Sequence, residues 1–110
     1  MNRDPQFGPI ILFGLGGVLV EIFRDVSLRH LPLSGEDALG MIQEIRGYPI
    51  LAGYRGKAPV NIQPLADCLL VVAQIAQEYP KIVEIDLNPV FAYSEGILVA
   101  DARIIMEEGN

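Results

Sequence analysis

Asp86, Asn88 and Asp101 are the residues of this chain best suited to chemistry. All three carry side-chain oxygens and stand in the otherwise apolar stretch Ile82–Ile105. Such groups are expensive to bury unless something pairs with them. Hard oxygen donors suit Mg²⁺, which takes one or two carboxylates and fills its other positions with water and phosphate oxygens. The chemistry to expect is a divalent metal carrying a nucleotide phosphate. The stretch reads as two strands joined by the turn Ser94-Glu95-Gly96. Asp86 and Asn88 are two apart and share a strand face. With Tyr93 opposite Ile97, Asp101 falls opposite Pro89, and a register shift of one residue keeps it beside Asn88. The competing reading is that Asn88-Pro89 merely opens a turn and Asp101 faces solvent. From the residues alone both readings stay open.

Arg29, Arg55, Lys57 and Arg103 are candidate phosphate partners, each equally readable as a solvated surface charge. Arg55 is held between Gly53 and Gly56, and Arg103 shares a strand face with Asp101. FGLGGVLVE contains G-x-G-G but lacks the third glycine of a dinucleotide fingerprint, and a strand rather than a helix follows it. A tight hairpin or bulge is the preferred reading there. His30 is the single histidine, and no nucleophile pattern accompanies it, so a structural role is expected. Cys68, the single cysteine, lies in an apolar helical stretch and reads as a buried structural thiol.

The elements that position these residues follow from periodicity. Pro9–Phe13, Val18–Phe23 (with Glu21) and Val26–Leu33 read as strands. A helix opens at Ser34, with Asp37 completing an acidic capping box and Gly47 a C-terminal stop. Tyr48–Val60 shows no period and reads as a loop. Asn61 caps a second helix whose stripe is Leu65, Leu69, Val72, Ala76 and Tyr79, ended by Pro80. Ile82–Leu87, Pro89–Tyr93 and Ile97–Ile105 are the closing strands. The order βββ-αα-βββ predicts an α+β fold with a mainly antiparallel sheet and two helices. We expect a single domain over residues 1–110, with 1–8 and 106–110 as polar tails.

The net charge of −6 argues against nucleic acid as a partner, because Lys and Arg facing phosphates dominate that binding. The uncharged run Phe7–Val20 is too short and too rich in glycine to cross a bilayer and lacks a signal-peptide cleavage site. One cysteine excludes a disulfide scaffold. A cytoplasmic protein without membrane contact is the expectation.

Three segments carry a resemblance. DPQFGPIILFGLGGVLVEIFRDVSLRHLPL, LAGYRGKAPVNI and EIDLNPVFAYSEGILVADARI resemble, in order and almost end to end, the C-terminal half of the ATP-grasp domain of ADP-forming (NDP-forming) acyl-CoA synthetases. The acetyl-CoA synthetase β subunit is the nearer type and the succinyl-CoA synthetase β subunit the more distant. The resemblance implies a ligase that turns acyl-CoA, phosphate and ADP into free acid, CoA and ATP through a phosphorylated histidine. It implies that Asp86, Asn88 and Asp101 hold Mg²⁺ against ATP or ADP phosphates, with Arg55 and Arg103 at basic positions of the pattern. His30 does not match the relay histidine. The family's upstream half, with its phosphate-binding lysine, adenine hinge and relay histidine, has no counterpart here. The expected partners are therefore a nucleotide, that ATP-grasp half and a CoA-binding subunit or domain. Alone, the chain is expected to be inactive. The alternatives are an assembly module, self-associating or partner-binding, and a structural remnant.

Overall fold

The computed structural model describes residues 1–16 and 24–108. The expected strand Val18–Phe23, with Glu21 and the last part of the glycine run, lies outside the described residues.

Two sheets and three helices make up the described fold. Strands β1 (Asn2–Asp4), β2 (Gly8–Gly14), β3 (Val26–His30), β4 (Ile82–Leu87) and β7 (Ala102–Met106) form one sheet in the order β3-β2-β1-β4-β7. Strands β5 (Val90–Ala92) and β6 (Ile97–Val99) form a two-stranded ribbon. Every pairing is antiparallel. The α+β class with a mainly antiparallel sheet is as expected.

Helices α1 (Gly35–Glu44) and α3 (Gln63–Glu78) cover one face of the larger sheet, with the one-turn helix α2 (Tyr48–Leu51) between them. The α1 cap is the expected one. Ser34 Oγ accepts the Asp37 N–H at 3.0 Å, and the Asp37 carboxylate accepts the Ser34 N–H at 3.1 Å. These two bonds satisfy donors that a helix start leaves orphaned. They also hold the Asp37 carboxyl below its ordinary value, the Ser34 N–H first and the hydroxyl second. α3 presents Leu65, Leu69, Val72 and Ala76 to the core at helical spacing. Met41 and Ile42 of α1 and Ile11, Ile82 and Ile85 of the sheet complete that core. Ser27 is buried, and its hydroxyl donates to the Met41 carbonyl at 2.7 Å.

Four expectations are corrected. Residues 1–8 are not a tail: β1 lies at the centre of the sheet. Asp4 Oδ1 accepts the Gln6 and Phe7 N–H groups, turning the chain into β2, and Gly8 takes the left-handed φ of +79° that the turn needs. Arg3 reaches across to donate to the Ile82, Ala76 and Tyr79 carbonyls, satisfying acceptors at the end of α3. The first helix stops at Glu44, before Gly47, and the expected loop opens with α2, whose first turn tolerates Pro49. Finally, Ile97–Ile105 is two strands. It leaves the ribbon at Val99 and joins the larger sheet at Ala102.

Candidate functional site

From Ala92 back to Glu84 the closing hairpin keeps a single register across both sheets. Val90↔Val99 and Leu87↔Ala102 lie on one ladder. Between them both arms break at the same level. Across the break Asn88 N–H donates to the Asp101 carbonyl at 3.1 Å, and Ala100 N–H donates to the Pro89 carbonyl at 3.0 Å. Asn88 and Asp101 therefore stand opposite one another at the junction of the two sheets. The expected register was one residue off, within the tolerance that kept Asp101 beside Asn88.

Asp86 is one pleat away and directly opposite Arg103. Arg103 Nη2 lies 3.5 Å from Glu84 Oε1 and 4.0 Å from Asp86 Oδ2. These side chains occupy the face of the sheet that the helices leave open, and by the period of two Asn88 and Asp101 fall on that same face. All are at least partly exposed, so screening keeps the Arg103 ion pairs weak. An exposed, weakly paired carboxylate readily exchanges Arg103 for another cation. Among the described residues no three of His, Cys, Asp and Glu converge to hold a metal. A metal here needs the Asn88 carboxamide and oxygens from a ligand, which is the donor set Mg²⁺ prefers.

One residue of the glycine run comes to this corner. Gly16 lies against Asn88, where an added Cβ would be 4.0 Å from Oδ1. The chain is pinned on both sides of the undescribed stretch. Leu15 packs so tightly on Gly47 that a Cβ there would lie 2.5 Å from Leu15 Cδ1. The Asp25 carboxylate accepts the Arg46 and Gly47 N–H groups at 2.6 and 2.7 Å. Gly14 has no room for a side chain beside Val26. The local sequence reads as a hairpin or bulge, and only the packing brings Gly16 to Asn88. Glu84, also overlooked, belongs to the same charged row; its spacing of two from Asp86 was the available signal.

Arg55 is elsewhere. It is exposed in the Gly53–Lys57 loop with φ +53°, its guanidinium 5.3 Å from the Tyr54 ring centre. Among the described residues no hydrogen bond or ion pair joins it to Asp86, Asn88, Asp101 or Arg103. Arg29 pairs with Glu44, which raises its pKa. His30 is exposed, with its ring edge-on to Phe7 at 6.1 Å. Cys68 is half-buried, and burial pushes its thiol up.

A cleft of about 680 Å³ opens between the ends of β2 and β4, with Glu84, Asp86, Asn88 and Gly16 on its rim. Residues 1–106 match the ATP-grasp domain family. The chain belongs to the ATP-grasp family. This ATP-grasp chain is 58% identical over 106 residues to the β subunit of acetate–CoA ligase [ADP-forming] I of Pyrococcus furiosus, covering 96% of this chain and 46% of that subunit. It is 35% identical over 103 residues to 4-hydroxybutyrate–CoA ligase [ADP-forming] of Nitrosopumilus maritimus, covering 92% of this chain and 15% of that protein. Acetyl-coenzyme A synthetase 1 of Ca. Korarchaeum cryptofilum, solved with coenzyme A and Mg-AMPPCP, superposes with a TM-score of 0.91 at 55% identity, over 96% of this chain and 50% of that one. The ATP-grasp chain thus spans about half the β-subunit relative it matches, and less of the longer ligase. Among its described residues no helix is long and apolar enough to cross a membrane.

Proposed function

We propose that this chain forms the Mg²⁺-nucleotide phosphate wall of an ADP-forming acyl-CoA ligase. The observation that carries the reading is the break shared by both arms of the hairpin. It sets Asn88 opposite Asp101, with Asp86 one pleat away and Gly16 alongside. The Asp86 and Asp101 carboxylates and the Asn88 carboxamide oxygen would hold Mg²⁺. When bound, the ion neutralises charge on the phosphate oxygens between which a phosphoryl group moves. Arg103 balances the carboxylates in the absence of the ion and turns to phosphate when the ion displaces it. Arg55, on its glycine-flanked loop, is a second phosphate contact, made from the other side of the ligand. The Gly16 backbone approaches the ligand where a side chain would obstruct it. The relative solved with Mg-AMPPCP supports the choice of ion and nucleotide.

The full reaction, acyl-CoA with ADP and phosphate giving acid, CoA and ATP, belongs to a larger assembly. The chain's partners are the remaining part of the ATP-grasp domain and a CoA-binding subunit or domain, in the cytoplasm. We expect the chain alone, mixed with acetyl-CoA, ADP, Mg²⁺ and phosphate, to form no ATP; turnover by the chain alone would overturn that. Titration with ADP and Mg²⁺, followed by amide NMR, is expected to shift Asp86–Asn88 and Asp101–Arg103. ADP-dependent shifts elsewhere, with none at these residues, would sink the metal corner.

A second reading is favoured by a specific surface. Phe91, Leu98, Ile104 and Met106 are about half exposed on the ribbon and the edge strand β7. An apolar edge of this kind invites association with a partner or a second copy. Light scattering decides: a chain that stays monomeric at high concentration excludes self-association.

A further inference from the structure

Gly47 is a glycine that its own backbone does not require. Its φ of −76° and ψ of 0° suit any residue. Helix α1 has already ended at Glu44, so Gly47 is not its stop; it precedes α2 instead. What excludes a side chain is space. A Cβ on Gly47 would lie 2.5 Å from Leu15 Cδ1, 3.4 Å from Leu15 Cγ and 3.2 Å from Asp25 Oδ2. Leu15 and Asp25 therefore meet on this one residue. Asp25 holds it through two charge-assisted bonds, Oδ1 accepting the Arg46 N–H at 2.6 Å and Oδ2 the Gly47 N–H at 2.7 Å. Leu15 packs against the core, so close packing restricts how far it can turn away.

The neighbours of this contact point toward the metal corner. Gly14 stands opposite Val26, whose Cγ1 lies 2.8 Å from where a Gly14 Cβ would be. Residues 14 and 15 are thus both held, and the next residue, Gly16, is the one that meets Asn88. On its other side Gly47 opens α2, which ends at Leu51. The Leu51 carbonyl accepts the Val60 N–H at 2.9 Å and closes the loop that carries Arg55. One contact therefore sets the glycine run and the Arg55 loop relative to each other. We propose that Asp25 and Gly47, acting through Leu15, form a clamp that positions Gly16 against Asn88 for a Mg²⁺-bound nucleotide phosphate. The role rests on the proposed reading of that corner. Asp25 and Gly47 are positioning residues: they set the distance at which the Gly16 backbone meets the ligand, and a binding site loses affinity when such a support shifts by a fraction of an ångström.

The test uses the whole chain. Gly47→Ala puts a methyl group into the space of Leu15 Cδ1, and the double variant Gly47→Ala/Leu15→Ala gives that space back. Asp25→Asn keeps the size of the side chain and leaves one of the two N–H groups without its acceptor. The first readout needs no ligand: the NOE between the Gly16 Hα protons and the Asn88 side-chain amide. It should be present in the unsubstituted chain and in the double variant, and lost in Gly47→Ala and Asp25→Asn. The second is Mg²⁺-ADP affinity, read from the Asp101 amide. It should fall about tenfold in the same two variants and recover in the double one. Ser34→Ala loosens the cap of α1 instead and controls for stability, leaving both readouts unchanged. An NOE that survives both Gly47→Ala and Asp25→Asn overturns the clamp. So does an affinity that stays constant while the NOE is lost, or one that Leu15→Ala fails to restore. Failure of the Mg²⁺-nucleotide reading shows separately, as an absence of Mg²⁺-ADP shifts in the unsubstituted chain, and it removes the clamp's role with it.

Discussion

The two faces of the larger sheet divide structure from chemistry within single strands. In β2, Ile11 is 2% exposed beneath the helices, whereas its neighbour Leu12 is 41% exposed on the open face. In β4, Ile85 is 4% exposed and Asp86 is half-buried on the opposite side. The covered face is apolar and closely packed. The open face is apolar over β2 and β3, at Leu12, Val26 and Leu28, and charged over β4 and β7, at Glu84, Asp86 and Arg103. The period of two lets one strand serve both faces. Stability and ligand binding should therefore separate cleanly under mutation.

The largest effect is expected on the covered face. Ile85→Ala should cost about 2–5 kcal/mol of unfolding free energy, read by urea denaturation. A loss no larger than that of Leu12→Ala would break the comparison. Asp101→Ala is the counterpart on the open side. It should weaken Mg²⁺-ADP binding at least about tenfold, roughly 1.4 kcal/mol, while stability moves by no more than about 0.5 kcal/mol. An unchanged titration isotherm would leave the open face without the proposed site.

The cap of α1 holds the covering layer in place and is next in size. Ser34→Ala should destabilise by about 1 kcal/mol. Its partner Asp37 has a carboxyl held below its ordinary value, so its contribution is present above that value and fades as pH falls through the lower folded one. Asp37→Asn should remove that part of the acid dependence, checked by denaturation from pH 6 down to about 2. The smallest effect belongs to Arg103→Ala. Its exposed pairs with Glu84 and Asp86 contribute between about 0 and 1 kcal/mol. Its sharper signature is easier entry of Mg²⁺ at Asp86, together with weaker nucleotide binding.

The locally coded parts were legible. Ser34 and Asp37 announced their cap because a capping box closes within four residues. The hairpin register followed from the Ser94-Glu95-Gly96 turn, and it set Asp101 within one residue of its observed place opposite Asn88. The ligand roles of Asp86, Asn88 and Asp101 rest on family resemblance and on the proposal above. β1 was illegible because Asn2–Asp4 is short and polar, with no period to detect. It exists because β2 and β4 flank it and Arg3 ties it to the end of α3. The split of Ile97–Ile105 was equally hidden, since its apolar pattern runs on while the chain changes sheets.

By itself the sequence determined the α+β class, the N-cap of α1, the apolar stripes and the arrangement of Asp86, Asn88 and Asp101 on one hairpin. Each of these depends on neighbours a few residues apart or on one tight turn. Tertiary structure alone decided that Gly16 meets Asn88 and that Asn2–Asp4 becomes the central strand between β2 and β4. Those facts depend on residues some seventy positions apart being packed side by side, and no local period records which distant strand becomes a neighbour.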